Sequence, residues 1–64
     1  MSNDRLLAFE LMLSEIQTDL EFKQSEIEHL KLQGKEKSAT FKQYLADKLL
    51  YKRMIALYEK HGLL

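Results

Sequence analysis

The placement of its helix-breaking residues is the feature that most constrains what this chain can fold into. The chain has no proline, and its two glycines stand at positions 34 and 62. Proline and glycine are the residues least compatible with a helix interior, whereas the leucine, alanine, glutamate, lysine and glutamine common elsewhere in the chain favour helix. The sequence therefore predicts an all-α fold in which one helix ends at Gly34 and a second ends at Gly62.

These two breakpoints predict a single helical-hairpin domain over residues 1–64. Helix 1 is expected over about 3–33, a polar turn over about 34–39, and helix 2 over about 40–61. A polar turn this short favours two antiparallel helices packed side by side.

The helix beginnings carry capping signals. Ser2 or Asn3 is predicted to cap helix 1, because short polar side chains bond the free backbone N–H groups of a first turn. Helix 2 is predicted to begin either at Thr40, which forms a capping box with Gln43, or at Ser38.

A 3-4 repeat of apolar residues runs along both helices and predicts their packed face. The predicted core of the hairpin or bundle combines this repeat with apolar neighbours on helix 2. It comprises Leu6, Phe9, Leu13, Ile16, Leu20, Ile27, Leu30, Tyr44, Leu50, Tyr51, Met54, Ile55, Leu57 and Tyr58. The three tyrosines of this set stand seven residues apart, a spacing typical of an aromatic stripe packed on a neighbouring helix.

The same repeat continues in phase across Gly34, so one long coiled coil is the competing architecture. Lys23, Gly34, Lys37 and Lys48 would then occupy seam positions, where a coiled coil favours apolar residues. A two-stranded coil would also leave many apolar side chains outside the seam in water. The hairpin is therefore the preferred prediction.

Apolar residues outside the repeat predict additional contacts. At 100° per residue, Leu7, Leu11 and Phe22 point away from the core face of helix 1, and Leu45 and Leu49 occupy a separate sector of helix 2. A surface helix needs only one apolar stripe, so a second stripe predicts a second neighbour. These five residues form the predicted interaction surface. The hairpin is expected to associate with a second copy into a four-helix bundle.

Helix 1 is predicted to be longer than helix 2, roughly 30 residues against roughly 22, so its first two turns project beyond the hairpin. Those turns are rich in apolar residues, and exposed apolar patches mark interaction sites. A second copy or another protein is expected to cover them. The residues concerned are Leu6, Leu7, Phe9, Leu11, Met12 and Leu13.

The charges divide unevenly between the two halves. Residues 1–32 hold seven acidic and three basic side chains, whereas residues 33–64 hold three acidic and seven basic ones. This complementarity favours side-by-side packing of the two halves, or of two copies. The zero net charge disfavours a dedicated nucleic-acid binder. A nucleic-acid-binding hairpin that uses the basic second helix stays the alternative function, since tyrosines can stack on bases.

The sequence offers no constellation of catalytic residues. There is no cysteine and no glycine-rich phosphate loop, and a chain this thin cannot enclose a substrate cavity. Glu26 and His29 have the i, i+3 spacing of a di-iron ligand pair, but Ile27 and Leu30 occupy the core face and turn both outward. We therefore expect no enzyme activity, no catalytic or metal-binding residue and no cofactor.

The apolar runs are too short to span a membrane, and no targeting segment is evident. The sequence predicts a cytoplasmic protein. Its expected role is a small non-catalytic protein–protein interaction module or regulator that acts as a homo-oligomeric helical bundle.

Overall fold

The chain folds into two α-helices joined by a short turn, and this confirms the predicted all-α hairpin. A computed structural model describes the backbone of residues 2–64 and the side chains from Asp4 onward. Helix α1 runs from Ser2 to Leu32 and helix α2 from Ala39 to Lys60, with no β-strand within these residues. The capping side chains predicted for α1, those of Ser2 and Asn3, lie outside the described part.

Gly34 ends α1 in a left-handed backbone conformation. Its φ angle is 70°, a value that glycine adopts without the steric cost a β-carbon would add. The N–H of Gly34 donates to the carbonyl oxygen of Lys31 at 3.0 Å, and the N–H of Lys35 donates to that of Leu30 at 2.8 Å. These two bonds form a Schellman motif, which satisfies the last carbonyl groups of the helix and reverses the chain.

Ser38, rather than Thr40, caps the start of α2. Its Oγ accepts a hydrogen bond from the N–H of Phe41 at 3.1 Å and donates one to the carbonyl oxygen of Lys35 at 2.8 Å. Gln43, the other member of the predicted capping box, instead donates to Asp47 at 3.0 Å. The cap therefore also ties the first turn of α2 to the preceding loop.

The end of α2 repeats the Schellman geometry of α1. Gly62 has a φ angle of 72°. The N–H of Gly62 donates to the carbonyl oxygen of Glu59 at 3.0 Å, and that of Leu63 donates to Tyr58 at 2.8 Å. Both glycines thus stand two residues beyond the last helical residue, just after the C-cap, where their permissive backbone is required.

The core is a single narrow seam between the helices. Among residues 4–64, the buried side chains are Leu13, Ile16, Ile27 and Phe41, and Ile27 is the most deeply buried at 1% exposure. Phe41 was not among the predicted core residues. The predicted core residues that are half-buried are Phe9, Leu20, Leu30, Tyr44, Tyr51, Met54, Ile55 and Tyr58. Three others, Leu6, Leu50 and Leu57, are exposed in the single chain.

The helices differ in length, so α1 extends beyond the end of α2. Their 31 and 22 residues correspond to about 46 Å and about 33 Å at 1.5 Å per residue. The longest dimension of the molecule is 48 Å. Phe9 of α1 packs against Tyr58 of α2, only two residues before α2 ends. The turns of α1 that precede Phe9 therefore have little of α2 beside them, and Leu6 and Leu7 are exposed.

Candidate interaction surface

A polar network crosses the seam near its middle. The hydroxyl group of Tyr51 donates to Oδ2 of Asp19 at 2.6 Å, and Nζ of Lys23 donates to Oδ2 of Asp47 at 2.9 Å. Nζ of Lys23 also lies 3.9 Å from Oδ2 of Asp19. Nε2 of Gln43 donates a hydrogen bond to Oδ1 of Asp47. Because two of these contacts join α1 to α2, the network fixes which residues of the two helices face each other.

The hydrogen bonds of the network shift the pKa values of Lys23, Asp47 and Tyr51, each in the direction that favours the bonded protonation state. The hydrogen bond to Asp47 raises the pKa of Lys23 above its ordinary value, and the same bond lowers the pKa of Asp47. The hydrogen bond that Tyr51 donates to Asp19 raises the pKa of the Tyr51 phenol. At neutral pH Lys23 and the Tyr51 phenol therefore stay protonated and Asp47 stays ionised, which are the states that form the Lys23–Asp47 and Tyr51–Asp19 hydrogen bonds.

The three tyrosines are all engaged within the hairpin. Tyr58 packs edge-to-face on Phe9 with ring centroids 5.2 Å apart, and Tyr44 packs on Phe22 at 6.1 Å. Nζ of Lys23 lies 4.5 Å from the centre of the Tyr44 ring, a cation–π contact. With Tyr51 bonded to Asp19, the evenly spaced phenols form one side of a packed helix.

An open groove lies along α1 on the side of this network. It has a volume of about 650 Å³, and its lining comprises Met12, Ser14, Glu15, Ile16, Thr18, Asp19, Phe22 and Tyr51. Met12 and Phe22 are 46% and 50% exposed, although both are large apolar side chains. The groove thus combines an apolar lining with two carboxylates, Glu15 and Asp19. We call these eight residues the acidic groove.

Leu45 and Leu49 lie on the opposite side of α2. They stand two residues before and two residues after Asp47, which places both about 160° around the helix from that residue. Asp47 belongs to the network beside the groove, so these leucines point away from it. Both are exposed, Leu49 to 59%.

The five residues of the predicted interaction surface are therefore all exposed but face different directions. Phe22 lines the acidic groove, while Leu45 and Leu49 lie across the hairpin from it. Leu7 and Leu11 lie about 180° and about 140° around α1 from the buried Ile16. Phe22 lies within about 60° of both Leu7 and Leu11 around α1, so the five residues form two apolar areas, one on each helix.

The sequence predicts a core position for Tyr51 but none of the polar contacts of this network. Lys23 stands at a core position of the apolar repeat, where it reads as an interruption. A long charged side chain is seldom buried without a partner, and this signal would have directed attention to an acidic residue on the other helix. Asp47 is that residue, 24 positions away.

The described residues hold neither a cluster of metal ligands nor a membrane-spanning helix. Within the part of the chain that the structure describes, no three side chains of histidine, aspartate or glutamate come together as a metal site. Glu26 is half-buried and His29 is exposed. Neither α1 nor α2 has an apolar stretch long enough for a membrane crossing.

Comparison of the chain with protein-family models, with curated proteins and with solved structures gave no match. The fold places the chain in the broad class of two-helix hairpins.

Proposed function

We propose that this protein is a small non-catalytic interaction module that works as a homo-oligomeric helical bundle. Its smallest assembled unit is a four-helix bundle made of two hairpins. Further proteins bind through apolar surfaces that the bundle leaves free, including the projecting turns of α1.

Exposed apolar surface on all sides of the hairpin is the observation that carries this proposal. The large apolar side chains exposed among residues 4–64 are Leu6, Leu7, Leu11, Met12, Phe22, Leu32, Leu45, Leu49, Leu50, Leu57, Leu63 and Leu64. Single exposed leucines are ordinary on protein surfaces, but contiguous apolar areas mark sites of association. Helices with more than one apolar stripe are typical of bundles in which each helix has several neighbours.

The small core supports the same proposal. One seam buries only four side chains among the described residues, and a core in a chain below about 70 residues rarely contributes more than ~3–5 kcal/mol. There is no cysteine to form a disulfide. Association is one general means of stabilising so small a fold.

Concentration-dependent unfolding tests the self-association directly. If folding requires association, the midpoint of thermal unfolding followed by circular dichroism rises with protein concentration. A midpoint that stays constant over a hundredfold range of concentration contradicts the proposal. Buffer and heating rate are kept identical across the series.

A capture experiment tests the interaction role. The immobilised wild-type chain is expected to retain a host protein that the variant Leu7→Glu/Leu11→Glu loses, because both leucines are exposed and point away from the seam. Gln17→Glu/Ser25→Glu is the matched control, since it adds two negative charges to α1 without removing apolar surface. Equal capture by both variants contradicts a contact through Leu7 and Leu11.

A further inference from the structure

We infer that copies of this chain associate through unlike surfaces, the acidic groove of one copy receiving the exposed leucines of α2 from another. This inference rests on the self-association proposed above and specifies the contact. The second surface, which we call the leucine stripe, consists of Leu45, Leu49 and Ala56 with the flanking Lys42, Lys52 and Lys60. All six are exposed.

The charges of the acidic groove select its occupant. Glu15 and Asp19 line it, and Asp47 belongs to the polar network beside it. Lys23 contacts Asp47 and Asp19 within this network, so it neutralises part of this negative charge but not all of it. Two grooves placed face to face would bring like charges together, which opposes association. A basic apolar surface fits the groove better.

The leucine stripe has that character. Leu45 and Leu49 are one helical turn apart, and Leu49 is 59% exposed. Lys42, Lys52 and Lys60 each lie within about 40° of the centre of the stripe. Glu59 lies farther from the centre of the stripe, at about 60° toward the seam. The side chains that flank the leucines most closely are therefore lysines. A helix that presents leucines between lysines matches an apolar groove lined by carboxylates.

The two surfaces lie on opposite sides of one hairpin, and this determines the type of assembly. A hairpin cannot use both surfaces on the same partner, because the leucines point about 160° around α2 from Asp47, which lies beside the groove. The contact is therefore head-to-tail. Such a contact leaves one free groove and one free stripe on a pair, and it continues until a ring closes or a filament forms.

Two single variants test this inference by blocking one surface each. Met12→Lys places a cation in the groove, where it faces the lysines of the stripe. Leu49→Glu places a carboxylate in the stripe, where it faces Glu15 and Asp19. Both parent side chains are exposed, at 46% and 59%, and neither is one of the buried side chains of the seam. Each variant alone is expected to associate at least tenfold more weakly, because an apolar contact is replaced by charge repulsion.

Mixing the two variants is the decisive step. Met12→Lys retains an intact stripe and Leu49→Glu retains an intact groove, so an equimolar mixture is expected to form 1:1 pairs that grow no further. Light scattering measures the mass of the mixture, and circular dichroism measures helicity. If either variant unfolds when alone, the mixture is expected to regain its helicity.

Three results would overturn the inference. One is either Met12→Lys or Leu49→Glu alone associating as the wild type does, which would show that the changed surface is not part of the contact. Another is a mixture that remains monomeric while the wild type associates. In both cases self-association itself survives and only the assignment of the two surfaces fails. A wild type that is monomeric at every concentration overturns the inference together with the proposed function.

Discussion

The hydroxyl group of Tyr51 on α2 donates a 2.6 Å hydrogen bond to Oδ2 of Asp19 on α1, across 32 positions of sequence. Replacing Tyr51 by Phe removes this bond and little else. A hydrogen bond to a charged group contributes about 1.5–3 kcal/mol when buried, and the partial exposure of this pair reduces the expected loss to about 1 kcal/mol or less. Urea unfolding followed by circular dichroism measures the loss.

A double-mutant cycle isolates this contact. Asp19→Ala and Tyr51→Phe are expected to show less than additive losses, since either change alone already breaks the bond. Tyr58→Phe is the control, because Tyr58 packs through its ring on Phe9. Strict additivity of the two changes would show that Tyr51 and Asp19 do not interact.

Ile27 is the most deeply buried side chain of the described residues, at 1% exposure. Ile27→Ala is expected to cost about 2–5 kcal/mol, because it removes apolar contacts and leaves a cavity. That amount is comparable to the whole stability of a domain this small, so most helicity should be lost at low protein concentration. Leu32→Ala, at a site 88% exposed, is expected to unfold as the wild type does. Equal behaviour of the two variants would contradict the assigned seam.

Gly34 is expected to tolerate no residue with a β-carbon without loss of stability. Gly34→Ala meets no atom within 4 Å, so the expected cost of about 1–2 kcal/mol comes from the left-handed backbone alone. Gly62→Ala is the matched control, since Gly62 has a similar φ of 72° but follows α2 instead of joining the two helices, so unwinding of the last turn of α2 relieves the strain. The free energy of unfolding, measured with denaturant, should be lower for Gly34→Ala than for Gly62→Ala. The reverse order would contradict the turn geometry.

The turns and the side-by-side packing of the helices are predictable from the sequence, whereas the register of that packing is not. A Schellman motif depends on one glycine and its immediate neighbours, so Gly34 and Gly62 indicate it locally. The burial of Phe41 depends on where α2 lies against α1. The Lys23–Asp47 contact likewise joins residues 24 positions apart. Neither composition nor periodicity specifies such a register, and within one helix Lys23 appears only as an interruption.

The exposure of Leu6, Leu50 and Leu57 shows a related limit. Their apolar character favours burial, but it does not indicate whether a covering neighbour would belong to the same chain. The hairpin leaves all three exposed, so their burial in a bundle stays a prediction.

The Lys23–Asp47 and Tyr51–Asp19 contacts predict that the free energy of unfolding declines at both ends of the pH range. The pKa of Asp47 is lowered, so its contribution is present above its ordinary value of 3.8 and is lost as the pH falls through the lower folded-state value. The pKa values of Lys23 and Tyr51 are raised. Their contributions are present below 10.5 and 10.0 respectively, and are lost as the pH rises through the higher folded-state values.

Lys23→Met tests the acidic side of this prediction. The free energies of unfolding of the wild type and the variant should converge as the pH falls from about 6 to about 2, since protonated Asp47 no longer attracts Lys23. Lys31→Met is the control, because Lys31 and Glu28 form only an exposed contact at 4.0 Å. A constant gap between the wild type and Lys23→Met would contradict the assigned role of Asp47.

The molar mass of the wild-type chain, measured by light scattering over a dilution series with helicity recorded in parallel, tests the central claim most directly. One chain has a mass of 7.6 kDa. The account predicts a mass of two or more chains at high concentration, and a joint loss of mass and helicity on dilution. A fully helical species of 7.6 kDa at every concentration would contradict it.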